Sequence, residues 1–310
     1  MTEFLATLIA PALWAASNHF NKYLVSRVMP SAGVGAIVIF AALVGVLVLP
    51  VALIFQNEAF SIGFLPPLLI AFNGCLYLLA LIPFLKALRV SDASSVIPIL
   101  QVIPIISFLL ARIFLGEVLS SNQLIGGALI LLGALIISFE ASSSGGQTKL
   151  RLRSDALGLM LLSAFFYSVS FLLFKVFSLK AEFWTTTFWE SVGFIAYAAA
   201  LLIFVPSYRS DFLAVFPRNR MATGLAMSNE VINIVAKIAF NYISLWVPIA
   251  VAWLGVSFQS VFVLLYSILL AKLYPQISKE AVEGKHLVQK GVAITLMLLG
   301  AGIMYLPDRY

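Results

Sequence analysis

ASSVIPILQVIPIISFLLARIFLGEVLSSNQLIGGALILLGALII (residues 93–137) is the stretch that decides the fold. Between Val96 and Leu115 only Gln101, Ser107 and Arg112 are polar, and after Gly116 and Glu117 a second apolar, glycine-rich run follows. A helix needs about 20 apolar residues to cross a bilayer, and each run approaches that length. Lipid offers the backbone no hydrogen-bond partner, so such runs must be helical. Their length and unbroken hydrophobicity do not suit the strands of a barrel. The rest of the 310-residue chain reads the same way: 62% is hydrophobic, 10% is charged, and the mean hydropathy is +1.06. Soluble domains carry roughly a quarter charged residues, so a separate soluble catalytic domain is excluded.

Apolar runs punctuated by polar or Pro/Gly clusters divide the chain into ten segments, at about 4–26, 31–55, 63–88, 92–114, 121–139, 155–178, 184–205, 220–243, 247–271 and 288–306. The expected fold class is an all-α polytopic membrane protein with ten transmembrane helices. The first run follows Met1, Thr2 and Glu3 with neither a basic n-region nor a small-residue cleavage pattern, so it reads as a retained span and not a signal peptide. Residues 141–153, with Ser142 to Gly146 and then Lys149, Arg151 and Arg153, have the composition of a flexible linker. They lack the GxxxxGK[ST] spacing of a phosphate loop. The linker splits the segments five and five: residues 1–140 form a first unit and 154–310 a second.

Sliding the chain by 153 places Trp14 on Tyr167, Ser17 on Ser170 and Lys22 on Lys175, and a shift of 155 sets segment four on segment nine. A similar shift brings the Gly126 to Ala134 run near Gly291 to Ala301. Five is odd, so the second unit enters the membrane upside down. Inverted repeats are the architecture of secondary transporters, with the binding site at the repeat interface near mid-membrane.

The first helix, LWAASNHFNKYLVSR (residues 13–27), and the stretch at 93–137 resemble the EamA domain of the drug/metabolite transporter superfamily. The hallmark is a proline-containing helix, then Leu-Gly-Glu, then a Gly-rich helix, and Pro104, Gly116, Glu117, Gly126 and Gly133 stand at those places. The resemblance spans two tandem copies. The second departs from the pattern, with Ala271 and Lys272 in place of Gly-Glu and a longer polar loop at 276–290. It implies a ten-helix carrier of small metabolites, often an exporter, in the bacterial inner (plasma) membrane, and names no substrate.

Charge speaks to orientation. The net charge is +6, from 19 Lys+Arg against 13 Asp+Glu, but the basic residues sit at segment ends. They read as topology signals and not as a nucleic-acid face. Fourteen lie in the connections one–two, three–four, five–six, seven–eight and nine–ten, and four (Arg112, Lys175, Lys180, Arg309) on the opposite side. The positive-inside rule then puts both termini outside, whereas the family implies cytoplasmic termini; a reporter fused at Tyr310 and scoring as cytoplasmic overturns the charge reading.

A charge at the centre of a spanning helix costs roughly 2.5 to 3.5 kcal/mol, so such residues face cavities and mark function. Segment eight is richest. At 100° per residue, Glu230, Asn233, Lys237 and Asn241 share one face. Glu230 and Lys237 stand about 10 Å apart along the axis, too far for i,i+4 pairing, so Asn233, water, another helix or a ligand bearing both signs lies between them. The plainer reading is a structural ion pair. Glu190, beside Trp189, either lines the same cavity or pairs with Lys237 or Lys175. Helix one presents Trp14, Ser17, Asn18 and Asn21 on one face, with His19 opposite as a packed histidine. Asn73 with Tyr77, Ser163 with Tyr167 and Ser170, and Trp253 with Ser257 and Ser260 recur at helical spacing as a cavity lining or as ordinary packing. Pro98 and Pro104 kink segment four around Gln101.

The expected substrate-binding set is therefore Trp14, Asn18, Asn73, Tyr77, Gln101, Tyr167, Glu190, Glu230, Asn233, Lys237, Trp253 and Ser257. Glu230 is also the proton-coupling group. Lys22 and Lys175, matched by the repeat, are gates at opposite faces, or else lysines reaching for headgroups. Glu117 is a cap or loop brace, and Gly126, Gly133, Gly291 and Gly300 are scaffold. The single cysteine, Cys75, rules out a disulfide framework or CxxC metal site, and no cofactor is expected. HExxH and GxSxG are absent, so the chain is not read as an enzyme. The expected partners are a small-molecule substrate and membrane lipid, with no nucleic acid, in a monomer or homodimer. The function that follows is secondary transport of a small polar or amphipathic metabolite, with an amino acid or similar zwitterion favoured by the acid and base of segment eight. The alternative is a lipid or lipid-linked-sugar translocase, with Lys22, Lys175 and Lys237 as its headgroup site.

Overall fold

The computed structural model describes residues 2–23, 33–56, 59–90, 97–141, 154–273 and 284–306. Among them every regular element is a helix: α1 (Thr2–Thr7), α2 (Ile9–Tyr23), α3 (Val34–Leu43), α4 (Gly45–Phe55), α5 (Leu65–Val90), α6 (Ile103–Phe114), α7 (Ser121–Ala141), α8 (Ser154–Ala181), α9 (Phe183–Phe204), α10 (Pro206–Val215), α11 (Arg220–Ile243), α12 (Ile249–Val256), α13 (Gln259–Leu273) and α14 (Gly284–Met304), with a 3₁₀ turn at Ile97–Val102. Most of the linker, residues 142–153, lies outside the described residues.

Five stretches are long and apolar enough to cross a membrane: Val34–Phe55, Leu65–Val90, Asp155–Ala181, Phe183–Phe204 and Ile249–Leu270. Ile99–Phe114, Ser121–Ile137 and Val288–Met304 are shorter apolar helices. Large apolar side chains such as Ile54, Phe72, Ile113, Leu132, Phe204 and Leu298 lie exposed on their outer faces. In water such a surface would be an aggregation liability; against lipid chains it is at home.

Several runs read as continuous in the sequence are broken. Segment one breaks at Leu8, and segment two at Val44, where Gly45 packs against Ser191 and Phe194 of α9. Segment four unwinds into the 3₁₀ turn and becomes α-helical only at Ile103, with Pro104 in its first turn, where a missing N–H costs nothing. Segment nine breaks at Ser257–Phe258 with no proline at the break. The broken segments meet: Ser257 Oγ donates to Gln101 Oε1 at 2.9 Å. Between segments seven and eight stands α10, absent from the sequence reading, whose Asp211 accepts from the Gly35 amide at 3.2 Å.

The largest helix contacts join the first half to the second: α7 with α14, α5 with α8 and α9, α2 with α11 and α13. The core gathers Ala10, Ile103 and Ile130 with Phe171, Phe240, Trp253 and Met297. Glycine permits two of the close approaches. A Cβ on Gly126 would collide with the Gly300 carbonyl, and one on Gly193 with that of Ala71. Gly133 likewise abuts Met297 and Ala293, but Gly291 faces open space, so it is not part of the packed seam expected of it.

Candidate functional site

The tight α5–α9 seam brings Asn73, in the buried middle of α5, up to Glu190, whose Oε1 accepts from Asn73 Nδ2 at 3.3 Å. The other oxygen of Glu190 accepts from Lys237 Nζ of α11 at 2.5 Å, and the two side chains are only 4% and 2% exposed. The ammonium also lies over the ring of Tyr77 at 4.8 Å, with Phe174, Phe171 and Phe194 at 5.0 to 5.6 Å. Aromatic faces carry negative charge density that attracts cations, so the ion pair has a partly charge-compensating cage. Of the options left open by the sequence, Lys237 takes its counter-charge from another helix, α9, while Asn233 of the same helix donates to Glu230. Lys237 offers no free ammonium to a ligand, and the acid-and-base spacing that favoured a zwitterion loses its base.

Glu230 is different. It is 8% exposed, and among the described residues its oxygens accept only from amides, Asn229 Nδ2 at 3.4 Å and Asn233 Nδ2 at 3.3 Å. Asn229 is itself held by helix one, accepting from Ser17 Oγ at 2.8 Å and donating to Asn21 Oδ1 at 2.9 Å. Neither Asn229 nor its link to Asn21 stands out in the sequence, though Asn229 directly precedes Glu230. Asn18, on the same side of α2, is exposed. Asn241 is buried at the far end of the stripe with Oδ1 unpartnered.

Aromatic side chains from both halves form a wall beside this stripe. Tyr77 meets Tyr167 edge-on at 5.5 Å and Phe171 at 5.8 Å. Phe171 contacts Phe240 and Trp253 at 4.8 and 5.1 Å, and Trp253 stacks on Trp14 at 6.5 Å. The Trp253 indole N–H is buried with no acceptor. Gln101 and Ser257 add the bond between the two broken segments. Ser163 and Ser170 bond carbonyls of α5, Ala80 and Asn73, and so act as packing groups.

A second ionic cluster stands away from this wall. Lys175 of α8 donates to Glu117 at 2.6 Å and to the Val247 carbonyl at 2.8 Å, while Glu117 Oε2 accepts from the Ile249 amide at 2.9 Å. One carboxylate ties the α6–α7 turn to α8 and caps the first turn of α12, where the helix dipole favours an anion. Lys175 is therefore a buried bridging residue and does not reach for headgroups. Lys22 lies near the end of α2, with its side chain outside those described. His19 is packed, its Nε2 3.1 Å from the Val263 carbonyl and its ring against Tyr266.

Residues 1–139 match the family model described as the EamA-like transporter family. Among solved structures, one crystal structure aligns over 98% of this chain and 96% of its own, with a TM-score of 0.60 at 14% identity; that likeness concerns the fold alone. No curated protein matches the chain. The family is one of transporters within the drug/metabolite transporter superfamily, and its match together with the apolar helices makes this a multi-pass integral membrane protein. Within the chain it is residues 1–139 that carry the likeness to the EamA-like transporter family, a family of the drug/metabolite transporter superfamily.

Proposed function

We propose that the chain is a secondary transporter that moves a small polar or amphipathic metabolite, as an exporter, across a plasma membrane by alternating access. In this reading its ten spans form two inverted five-helix repeats, residues 1–140 and 154–310. The observation that carries it is Glu230: a carboxyl in the middle of a long helix, 8% exposed and held, among the described residues, only by amides, beside an aromatic wall contributed by both halves. A charge kept at such depth is costly unless it is used. The broken segments four and nine, joined through Gln101 and Ser257, supply the discontinuous helices typical of transporter sites. Substrate contacts fall to Trp14, Asn18, Tyr77, Tyr167, Asn233 and Trp253, with Asn73 and the Glu190–Lys237 pair as the floor. The Glu117–Lys175 brace closes one end of the passage and opens when the halves rock; Lys22 is the matching gate.

Glu230 is the proton-coupling group in this scheme. Glu230→Gln in proteoliposomes abolishes transport driven by a pH gradient while the protein keeps its thermal stability; pH-driven transport at the wild-type rate contradicts the role. The lipid-translocase reading fares worse, because Lys175 and Lys237, two of the three cations it requires, are each bound to a glutamate.

A further inference from the structure

We infer that Glu230 seats the cationic group of an amphipathic organic amine, so that the transported molecule carries net positive charge and is neither a zwitterion nor an anion. The inference deepens the carrier reading and rests on it. Of the described carboxylates inside the bundle, Glu190 is neutralised by Lys237 and Glu117 by Lys175. Glu230 has no cationic partner among the described residues. Its two amide contacts, at 3.3 and 3.4 Å, are long for bonds to a carboxylate. A buried carboxylate without a counter-charge is strongly disfavoured, and an incoming ammonium removes that penalty.

The neighbours fit the same guest. Tyr167 stands in the aromatic wall beside the polar stripe, edge-on to Tyr77 at 5.5 Å, and aromatic faces complement an ammonium. Beyond them the wall runs through Phe171 to Trp253, a surface for an apolar body, and the orphaned indole N–H of Trp253 offers a donor to a ligand oxygen. A ligand carboxylate would find no such welcome. The ammonium groups of Lys237 and Lys175 are taken, and it would be repelled by Glu230.

The test uses the full-length protein in phosphatidylglycerol nanodiscs and three probes of one shape, phenethylamine, phenylalanine and 3-phenylpropionate, titrated calorimetrically. Phenethylamine binds at least tenfold tighter than the other two, and Glu230→Gln weakens it at least tenfold. If that variant fails to fold, Tyr167→Leu weakens the amine several-fold and leaves the other probes unaffected. Equal or tighter binding of phenylalanine or phenylpropionate, no binding of phenethylamine, or undiminished amine binding in Glu230→Gln overturns the inference. Adding phosphatidylethanolamine separates two sources of ammonium. Competition with phenethylamine assigns the site to a lipid head group and keeps its cation chemistry, while no competition assigns it to a free amine. Uptake into proteoliposomes separates the two claims. Flux of phenylalanine or phenylpropionate without flux of the amine overturns the cation inference and leaves the carrier standing; amine binding with no flux of any probe keeps the site and removes the carrier.

Discussion

Lys237 and Glu190 have left water together, and breaking the pair is worse than removing it. Deleting one partner of a buried ion pair costs roughly 3 to 5 kcal/mol because the other charge is stranded, whereas an apolar replacement of both is often near neutral. Lys237→Met should therefore lower stability by about that amount, and Lys237→Met with Glu190→Leu should recover most of it, measured by denaturant unfolding in mixed micelles; additive losses contradict the pairing. The sequence identified both residues as buried and costly, and named their pairing as one option. It could not choose, because spacing along α11 reports only what that helix carries, and the acid arrives from α9, 47 positions away. The aromatic cage was illegible for a related reason: Phe174 and Phe194 are two of 25 phenylalanines, and nothing local sets them apart.

Segments four and nine are both broken, and the breaks meet through Gln101 and Ser257. The first was legible because Pro98 and Pro104 remove backbone donors on either side of Gln101. The second has no proline at the break; the Ser257 amide is instead shared among the carbonyls of Trp253, Leu254 and Gly255. The shift of 155 that sets segment four on segment nine puts Val102 on Ser257. The Glu117 brace also works at this scale. In a Cys75→Ser background, Val247→Cys should react slowly with a polar maleimide and at least tenfold faster when Glu117→Gln releases Lys175; equal rates mean that the brace holds nothing shut. At the α7–α14 seam, Gly126→Val should lower stability by roughly 1 to 3 kcal/mol, as overpacking does, read as a fall in the thermal midpoint; an unchanged midpoint contradicts the backbone contact with Gly300.

The halves are interleaved rather than side by side. Each of the most extensive helix contacts pairs a first-half helix with a second-half one, so neither half can bury its polar and apolar faces alone. Residues 1–140 expressed without the rest should be degraded or remain protease-sensitive in membranes, and co-expression with residues 154–310 should restore a protected species; a protected first half on its own contradicts the interleaving. That the chain is a succession of apolar helices was legible in the apolar runs, because lipid leaves the backbone a single solution. How the segments assort was not, since lipid-facing and helix-facing apolar residues look alike when both solvents are hydrocarbon. The account turns on whether Glu230 looks into water between the halves. Glu230→Cys, placed in a Cys75→Ser background to leave one thiol, should react in intact membranes with a charged, lipid-insoluble methanethiosulfonate, and phenethylamine should slow the reaction. A thiol at 230 that reacts only with lipid-soluble reagents, or with none, would contradict it.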